Sequence, residues 1–201
     1  MRSVDFWVSI GSTYSYLAVM RVEDAAKAAG VPVRWRVFDV RSLLVRQKNI
    51  PFADKPAKLA HMWRDIGRRA VARGLSPQLP APYPIADLAR ANRVALLGLR
   101  EGWGQDYIRG AYRLWFEQGR PPGEAPALPM ALEALGLDAA AVMARAEAPE
   151  IAQALAAETE AAEAAGLFGV PSFTVGSELF WGDDRLEDAL AWAREGRLPP
   201  G

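Results

Sequence analysis

SIGSTYSYL, residues 9–17, joins an apolar run to an amphipathic one, and its reading decides the fold. Upstream, residues 4–10 carry Phe6, Trp7 and Val8 and stop at Gly11, the pattern of a short buried strand. Downstream, Leu17, Val19, Met20, Val22, Ala25 and Ala28 fall at helical spacing, which predicts one helix over 15–29 ended by Gly30. VPVRWRV, residues 31–37, then alternates, with Val31, Val33, Trp35 and Val37 on one face. Strand, helix, strand makes a βαβ unit with parallel pairing. Ser12 thus sits where a strand hands the chain to a helix N-terminus. Free amides and the helix dipole suit such a place to holding an anion.

Beyond Asp39 the character changes. Residues 56–73, 86–101, 105–118, 128–135, 139–146 and 149–165 read as helices, joined by connections rich in proline and glycine such as QLPAPYP, 78–84. From Gly169 strand character returns: PSFTV and ELFWG flank a Gly-Ser turn and predict a hairpin. DDRLEDALAWAREG, 183–196, reads as a last helix. Asp184 with Glu187 three residues on resembles a capping box with aspartate in place of serine. The expected architecture is α/β: a thioredoxin-like mixed sheet from residues 1–39 and 166–201, interrupted by an all-helical insertion over 40–165.

Composition narrows the chemistry. A chain of 201 residues can bury a sizeable core as one domain with an insertion. Lys plus Arg (24) equals Asp plus Glu (24), so no overall charge draws it to nucleic acid or an anionic membrane. Asp5 interrupts the apolar start, which does not read as a signal peptide, and no uncharged apolar stretch approaches the ~18 residues of a membrane span. Cytoplasm is the expected location. Cys 0 excludes disulfides, thiolate metal sites and protein-thiol redox chemistry, and no metal is expected. His61 is the only histidine.

In thioredoxin-type folds the position of Ser12 carries a reactive cysteine. Serine does not usefully ionise near neutral pH without a base, but it can donate a hydrogen bond to a thiolate brought by a ligand. The plainer reading of Ser12 is an ordinary helix N-cap. Val170-Pro171 opens a strand. A cis bond there would present the Val170 N–H and C=O to a ligand's peptide group as an added strand, whereas an ordinary trans proline at a strand start would not.

These stretches together resemble a known family. DFWVSIGSTYSYLA, 5–18, is similar to its D-F-x-x-D-F-x-S-P-Y-S-Y-L-A opening. GLFGVPSFTVGSELFWGDDRLEDAL, 166–190, closely resembles its G-V-F-G-V-P-T-F-x-x-x-x-E-x-F-W-G-x-D-R-L ending. The family is the 2-hydroxychromene-2-carboxylate isomerases with their relatives, the kappa-class glutathione transferases. The resemblance covers the whole chain and implies a DsbA-like thioredoxin fold, glutathione as cofactor, a small-molecule substrate from aromatic catabolism and a cytoplasmic homodimer. It implies an isomerase in which a glutathione thiolate adds to a double bond, lets it rotate and leaves. A transferase would stop after addition or displacement.

Residue by residue, the resemblance puts Ser12 on the serine that activates the glutathione sulfur and Val170 on the residue whose backbone pairs with the cysteinyl part. Trp181, Gly182, Asp183 and Asp184 fall on the stretch that binds the γ-glutamyl end, Asp184 also being readable as a plain helix cap. Asn49 and Lys58 match an Asn and a Lys lining the site in the kappa-class relatives; a lysine on a helix can equally be solvated. Tyr83 resembles an aromatic that contacts the substrate, or packs beneath its proline loop. Three positions depart: Thr13 replaces the family's proline, Ser9 its first-strand aspartate, and Leu44 its substrate-binding lysine, with Arg41 and Arg46 nearby as replacements. Without cysteine a disulfide oxidoreductase is excluded. A non-enzymatic module binding peptides at Val170 stays open. A serine hydrolase would need His61 beside Ser12, and no G-x-S-x-G elbow is present.

Overall fold

The computed structural model describes residues 2–52 and 54–198. Among them, β1 (Val4–Val8), β2 (Val33–Val37), β3 (Ser172–Val175) and β4 (Glu178–Trp181) form one sheet in the order β2-β1-β3-β4. β1 runs parallel to β2 and antiparallel to β3, and β3 antiparallel to β4. An inner strand is covered on both faces, which is why Val4, Phe6, Trp7 and Val8 are all buried. Phe6 meets Trp35 edge-on at 4.8 Å and stacks on Phe173 at 5.2 Å, its register partners on either side. On the opposite face Trp7 Nε1 donates to Thr174 Oγ1 at 3.0 Å. These contacts join the two ends of the chain into one frame.

The stretch 15–29 is two helices, α1 (Ser15–Val19) and α2 (Val22–Ala29), not one. Arg21 leaves helical geometry, and its guanidinium reaches the Glu187 carboxylate and the Asp183 carbonyl. Apolar spacing runs on through the break, so periodicity conceals it. α3 (Val40–Arg46) is an element the pattern missed; Asp39 caps it by accepting from the Arg41 and Ser42 amides at 3.0 and 3.2 Å. The remaining insertion helices are α4 (Pro56–Val71), α5 (Leu88–Glu101), α6 (Gly104–Gln118), α7 (Ala127–Glu133), α8 (Ala139–Ala146) and α9 (Pro149–Ala164), each within two residues of expectation. The last helix, α10 (Leu186–Glu195), follows a single 3-10 turn, Asp183–Arg185. The capping box does not form. Arg185 holds the N-cap place without a side-chain bond, and Glu187 is drawn away to Arg21.

The insertion shares its core with the sheet. Tyr16 of α1 stacks on Phe116 of α6 at 4.3 Å, and Tyr107, Tyr112, Trp115 and Phe116 are fully buried in the apolar cluster that contains Phe6 and Leu17. Burying each large apolar side chain contributes about 1.5–3 kcal/mol. α5 and α6 are thereby pressed against the end of β1, behind the Ser12 turn.

Candidate active site

After β1 the chain passes through Gly11 (φ 124°), where a Cβ would press to 3.3 Å from Leu88. Ser12 then turns it: its N–H donates to the Ser9 carbonyl at 3.2 Å and its Oγ donates to the Val170 carbonyl at 3.0 Å. The cap reading of Ser12 is therefore overturned, since Tyr14 stands at the N-cap of α1 and no side chain caps it. Ser12 and Val170, 158 positions apart, are direct partners.

The insertion grips this turn from behind. Asn92 of α5, fully buried, accepts from the Ile10 N–H at 2.8 Å, and its Nδ2 faces the Ser9 hydroxyl and the Ile10 carbonyl at 3.1 Å each and the Leu88 carbonyl at 2.8 Å. The Tyr112 hydroxyl of α6 lies 3.0 Å from the carbonyls of both Ser9 and Ser12. Ser9, where the family carries an aspartate, also accepts from the Val40 N–H at 3.3 Å. Thr13, where the family carries proline, points its hydroxyl at the Met62 sulfur, 2.9 Å away. Asn92 and Tyr112 were missed in the sequence reading. A lone Asn inside the apolar stripe of Leu88, Ala91, Val94 and Ala95 was the available signal.

The Val170–Pro171 bond is cis. Among the described residues the Val170 N–H makes no backbone hydrogen bond, while its carbonyl faces Ser12. Trp181 closes the far side of this edge. A Cβ on Gly169 would lie 2.7 Å from the Trp181 Nε1, so the indole needs a glycine beneath it. Phe168 packs against Trp181 at 5.0 Å.

Asp183 and Asp184 separate into two roles. Asp183 is 1% exposed, with Arg69 at 2.7 Å and Arg73 at 3.0 Å from its carboxylate oxygens and Arg21 on its carbonyl. Burial pushes its carboxyl above the usual range, and the guanidiniums only partly offset this. It anchors the segment. Asp184 is half exposed, with Arg185 at 3.7 Å and Arg69 at 3.9 Å, and its carboxylate borders the cavity. A side chain at Gly182 (φ 116°) would strike the Asp184 Oδ1 at 2.5 Å.

The turn, the Val170 edge and the Trp181–Asp184 stretch open onto one cavity of about 820 Å³, and every residue singled out as a site candidate borders it: Ser12, Leu44, Asn49, Lys58, Tyr83, Val170, Trp181, Gly182, Asp183 and Asp184. Lys58 holds its ammonium 5.6 Å over the Phe52 ring, and Tyr83 lies edge-on to Phe52 and Trp63. Burial pushes the Tyr83 hydroxyl up, with Arg41 working the other way. Arg41 borders the cavity and donates to the Ile85 carbonyl at 3.1 Å, whereas Arg46 is turned away into an ion pair with Glu163 at 2.8 Å. Tyr14, also on the wall, is pushed up to about 12 by burial and by Asp65, to which it donates at 3.1 Å. His61 borders the cavity too, but among the described residues no hydrogen bond joins it to Ser12, whose hydroxyl donates to the Val170 carbonyl. Among the described residues no cluster of acidic and imidazole groups could hold a metal, and no helix is long and apolar enough to cross a membrane. The turn offers a hydroxyl donor and a peptide edge side by side, and no thiol of its own.

Comparison with known proteins agrees with this geometry. A family model described as a DSBA-like thioredoxin domain matches residues 3–191. The chain is 26% identical over 189 residues to a 2-hydroxychromene-2-carboxylate isomerase of Sphingobium xenophagum, covering 92% of this chain and 95% of that one. It is 26% identical over 185 residues to another of that name from Pseudomonas putida, covering 91% and 90%. A solved 2-hydroxychromene-2-carboxylate isomerase superposes with a TM-score of 0.80 at 26% identity, over 91% of this chain and 90% of that one. A probable DsbA oxidoreductase from Streptomyces coelicolor shares the fold, with a TM-score of 0.76 at 22% identity over 100% and 93% of the two chains. The chain is thus similar in sequence and shape to enzymes of the isomerase class. With its mixed sheet, its helical insertion and its serine at the strand-to-helix turn, it belongs to the DSBA-like thioredoxin family.

Proposed function

We propose that this protein is a glutathione-dependent isomerase acting on 2-hydroxychromene-2-carboxylate or a related intermediate of aromatic breakdown. The observation that carries the reading is the Ser12 Oγ set 3.0 Å from the Val170 carbonyl in a chain without cysteine. A hydroxyl donor and a peptide edge side by side fit the thiol and the backbone of a cysteinyl residue. The cavity lies within the ~300–1,000 Å³ that buries small ligands, with room for a tripeptide and a substrate. Bound glutathione would supply the nucleophile, a thiolate that adds reversibly to a conjugated double bond. Ser12 donates to the sulfur and favours its charged form. Val170 pairs with the cysteinyl backbone. Asp184 takes the γ-glutamyl ammonium, beside Arg69 and Arg185, which suit its carboxylate. Trp181 and Phe168 shield the peptide edge from water.

On the opposite wall Tyr83 and Leu44 face the substrate, and Asn49 and Lys58 line the part of the cavity that takes the rest of glutathione. Arg41 supplies the cation that Leu44 lacks. The apolar Leu44 also favours a second reading, a kappa-like glutathione transferase with an uncharged substrate. The resemblance further supports a cytoplasmic homodimer, which light scattering on the purified protein checks. Calorimetry and a spectrophotometric isomerisation assay test the main reading. We expect heat with millimolar glutathione, turnover only in its presence, and at least a hundredfold loss of turnover in a folded Ser12→Ala variant. Turnover without glutathione, or no heat, would overturn it.

A further inference from the structure

The Ser12 hydroxyl has one proton, and the structure commits it to the Val170 carbonyl at 3.0 Å. If Ser12 is to donate to a ligand's sulfur, that bond must break. Breaking it alone would leave the carbonyl of Val170, only 9% exposed, without its donor. Something must take the proton's place. Val170 offers both halves of a strand-like edge, a carbonyl and an N–H without a backbone partner among the described residues. A peptide laid antiparallel on such a residue exchanges both bonds with it, bringing an amide N–H to that carbonyl.

We infer that the Ser12–Val170 hydrogen bond is a placeholder, which a ligand's own amide N–H replaces and so releases the Ser12 hydroxyl to the ligand's sulfur. The inference rests on the glutathione reading and deepens it: the site activates thiols that carry an amide N–H next to the cysteinyl carbon, and leaves simple thiols unactivated. The exchange needs only rotation of one side chain. The backbone of the turn stays fixed because Asn92 and Tyr112 hold Ile10, Ser9 and Ser12 from the other side. The ligand's peptide end thereby reports to its sulfur end, and binding and activation become one event.

The test uses the purified protein saturated with glutathione or with its depsipeptide analogue, in which an ester oxygen replaces the cysteinyl N–H. Thiolate ultraviolet absorbance is titrated against pH. In wild type we expect the bound glutathione thiol to fall by about one unit or more from its ordinary ~8.5, and the ester analogue to fall less than half as far. Ser12→Ala brings both back to the free value. An equal fall for both ligands overturns the inference and spares the glutathione reading. Failure of wild type to bind glutathione removes the reading and the inference together. If the ester analogue does not bind, a crystal structure of the glutathione complex decides. Separation of Ser12 Oγ from the Val170 oxygen beyond about 3.5 Å supports the exchange; a retained 3.0 Å bond overturns it.

Discussion

On one side of the cavity the Ser12 turn and the Val170 edge are tied by buried and half-buried hydrogen bonds from three directions: Asn92, Tyr112 and each other. On the other side, residues 44–52 and 54–58 leave Val45 and Ile50 at 56% and 50% exposure, and Asn49 and Lys58 in solvent. The inner wall is over-determined and the outer wall is loosely constrained. Groups that must meet a sulfur and a backbone with fixed geometry belong on the first kind of surface, and groups that choose among substrates can sit on the second. The departures sort the same way. Leu44 gives the outer wall an apolar side chain with no hydrogen-bond network behind it, whereas Ser9 in place of an acid is absorbed into a closed network with Asn92 and the Val40 amide.

The contrast breaks most visibly at Asp183. Asp183→Ala removes a buried carboxylate facing Arg69 and Arg73, and we expect a loss of about 3–5 kcal/mol in urea unfolding. Its neighbour is the control. Asp184→Asn should change stability by less than about 0.5 kcal/mol yet weaken glutathione binding at least tenfold in calorimetry. Equal destabilisation by the two would erase the distinction between anchor and ligand.

Next comes Asn92→Leu, which orphans the Ile10 N–H and is expected to cost about 1–3 kcal/mol. Tyr112→Phe removes a single donor and should cost about 1 kcal/mol in the same measurement. On the outer wall, Ile50→Ser should stay within about 0.5 kcal/mol of wild type, whereas Leu44→Lys, which takes an apolar side chain off the cluster of Trp7, Phe38 and Leu43, should cost about 1 kcal/mol. Leu44→Lys should lower KM severalfold for a carboxylate-bearing substrate. The smallest effect is a pH signature. Burial works to raise the Asp65 carboxyl, but the Tyr14 hydroxyl and the Arg68 and Arg69 guanidiniums outweigh it and hold it below its ordinary 3.8. Its contribution is therefore complete above that value and lost as pH falls through the lower folded value. Asp65→Asn should cost up to about 1 kcal/mol near neutrality and nothing at the acid end, read by thermal unfolding across pH.

The sheet and both ends of the site were legible because strands, the Ser12 turn and the Val170-Pro171 segment carry their signals within a few neighbouring residues. What escaped depends on contacts far apart in the chain. Arg21 breaks a well-spaced helix for partners more than 160 positions away. Asp183 and Asp184 look alike side by side, and only Arg69 of α4 and Arg73 just past its end show that one is buried as an anchor. The helical insertion read as a block of amphipathic helices: Asn92 stood out only as a polar residue inside an apolar stripe, and nothing local marked Tyr112 or showed that both hold the turn.

A crystal structure of the protein soaked with glutathione puts the core of the account to its most direct trial. The sulfur should lie within hydrogen-bond distance of the Ser12 Oγ, with the cysteinyl backbone paired to Val170 and the γ-glutamyl ammonium at Asp184. Glutathione absent from the cavity, or bound with its sulfur pointing away from Ser12, would contradict it.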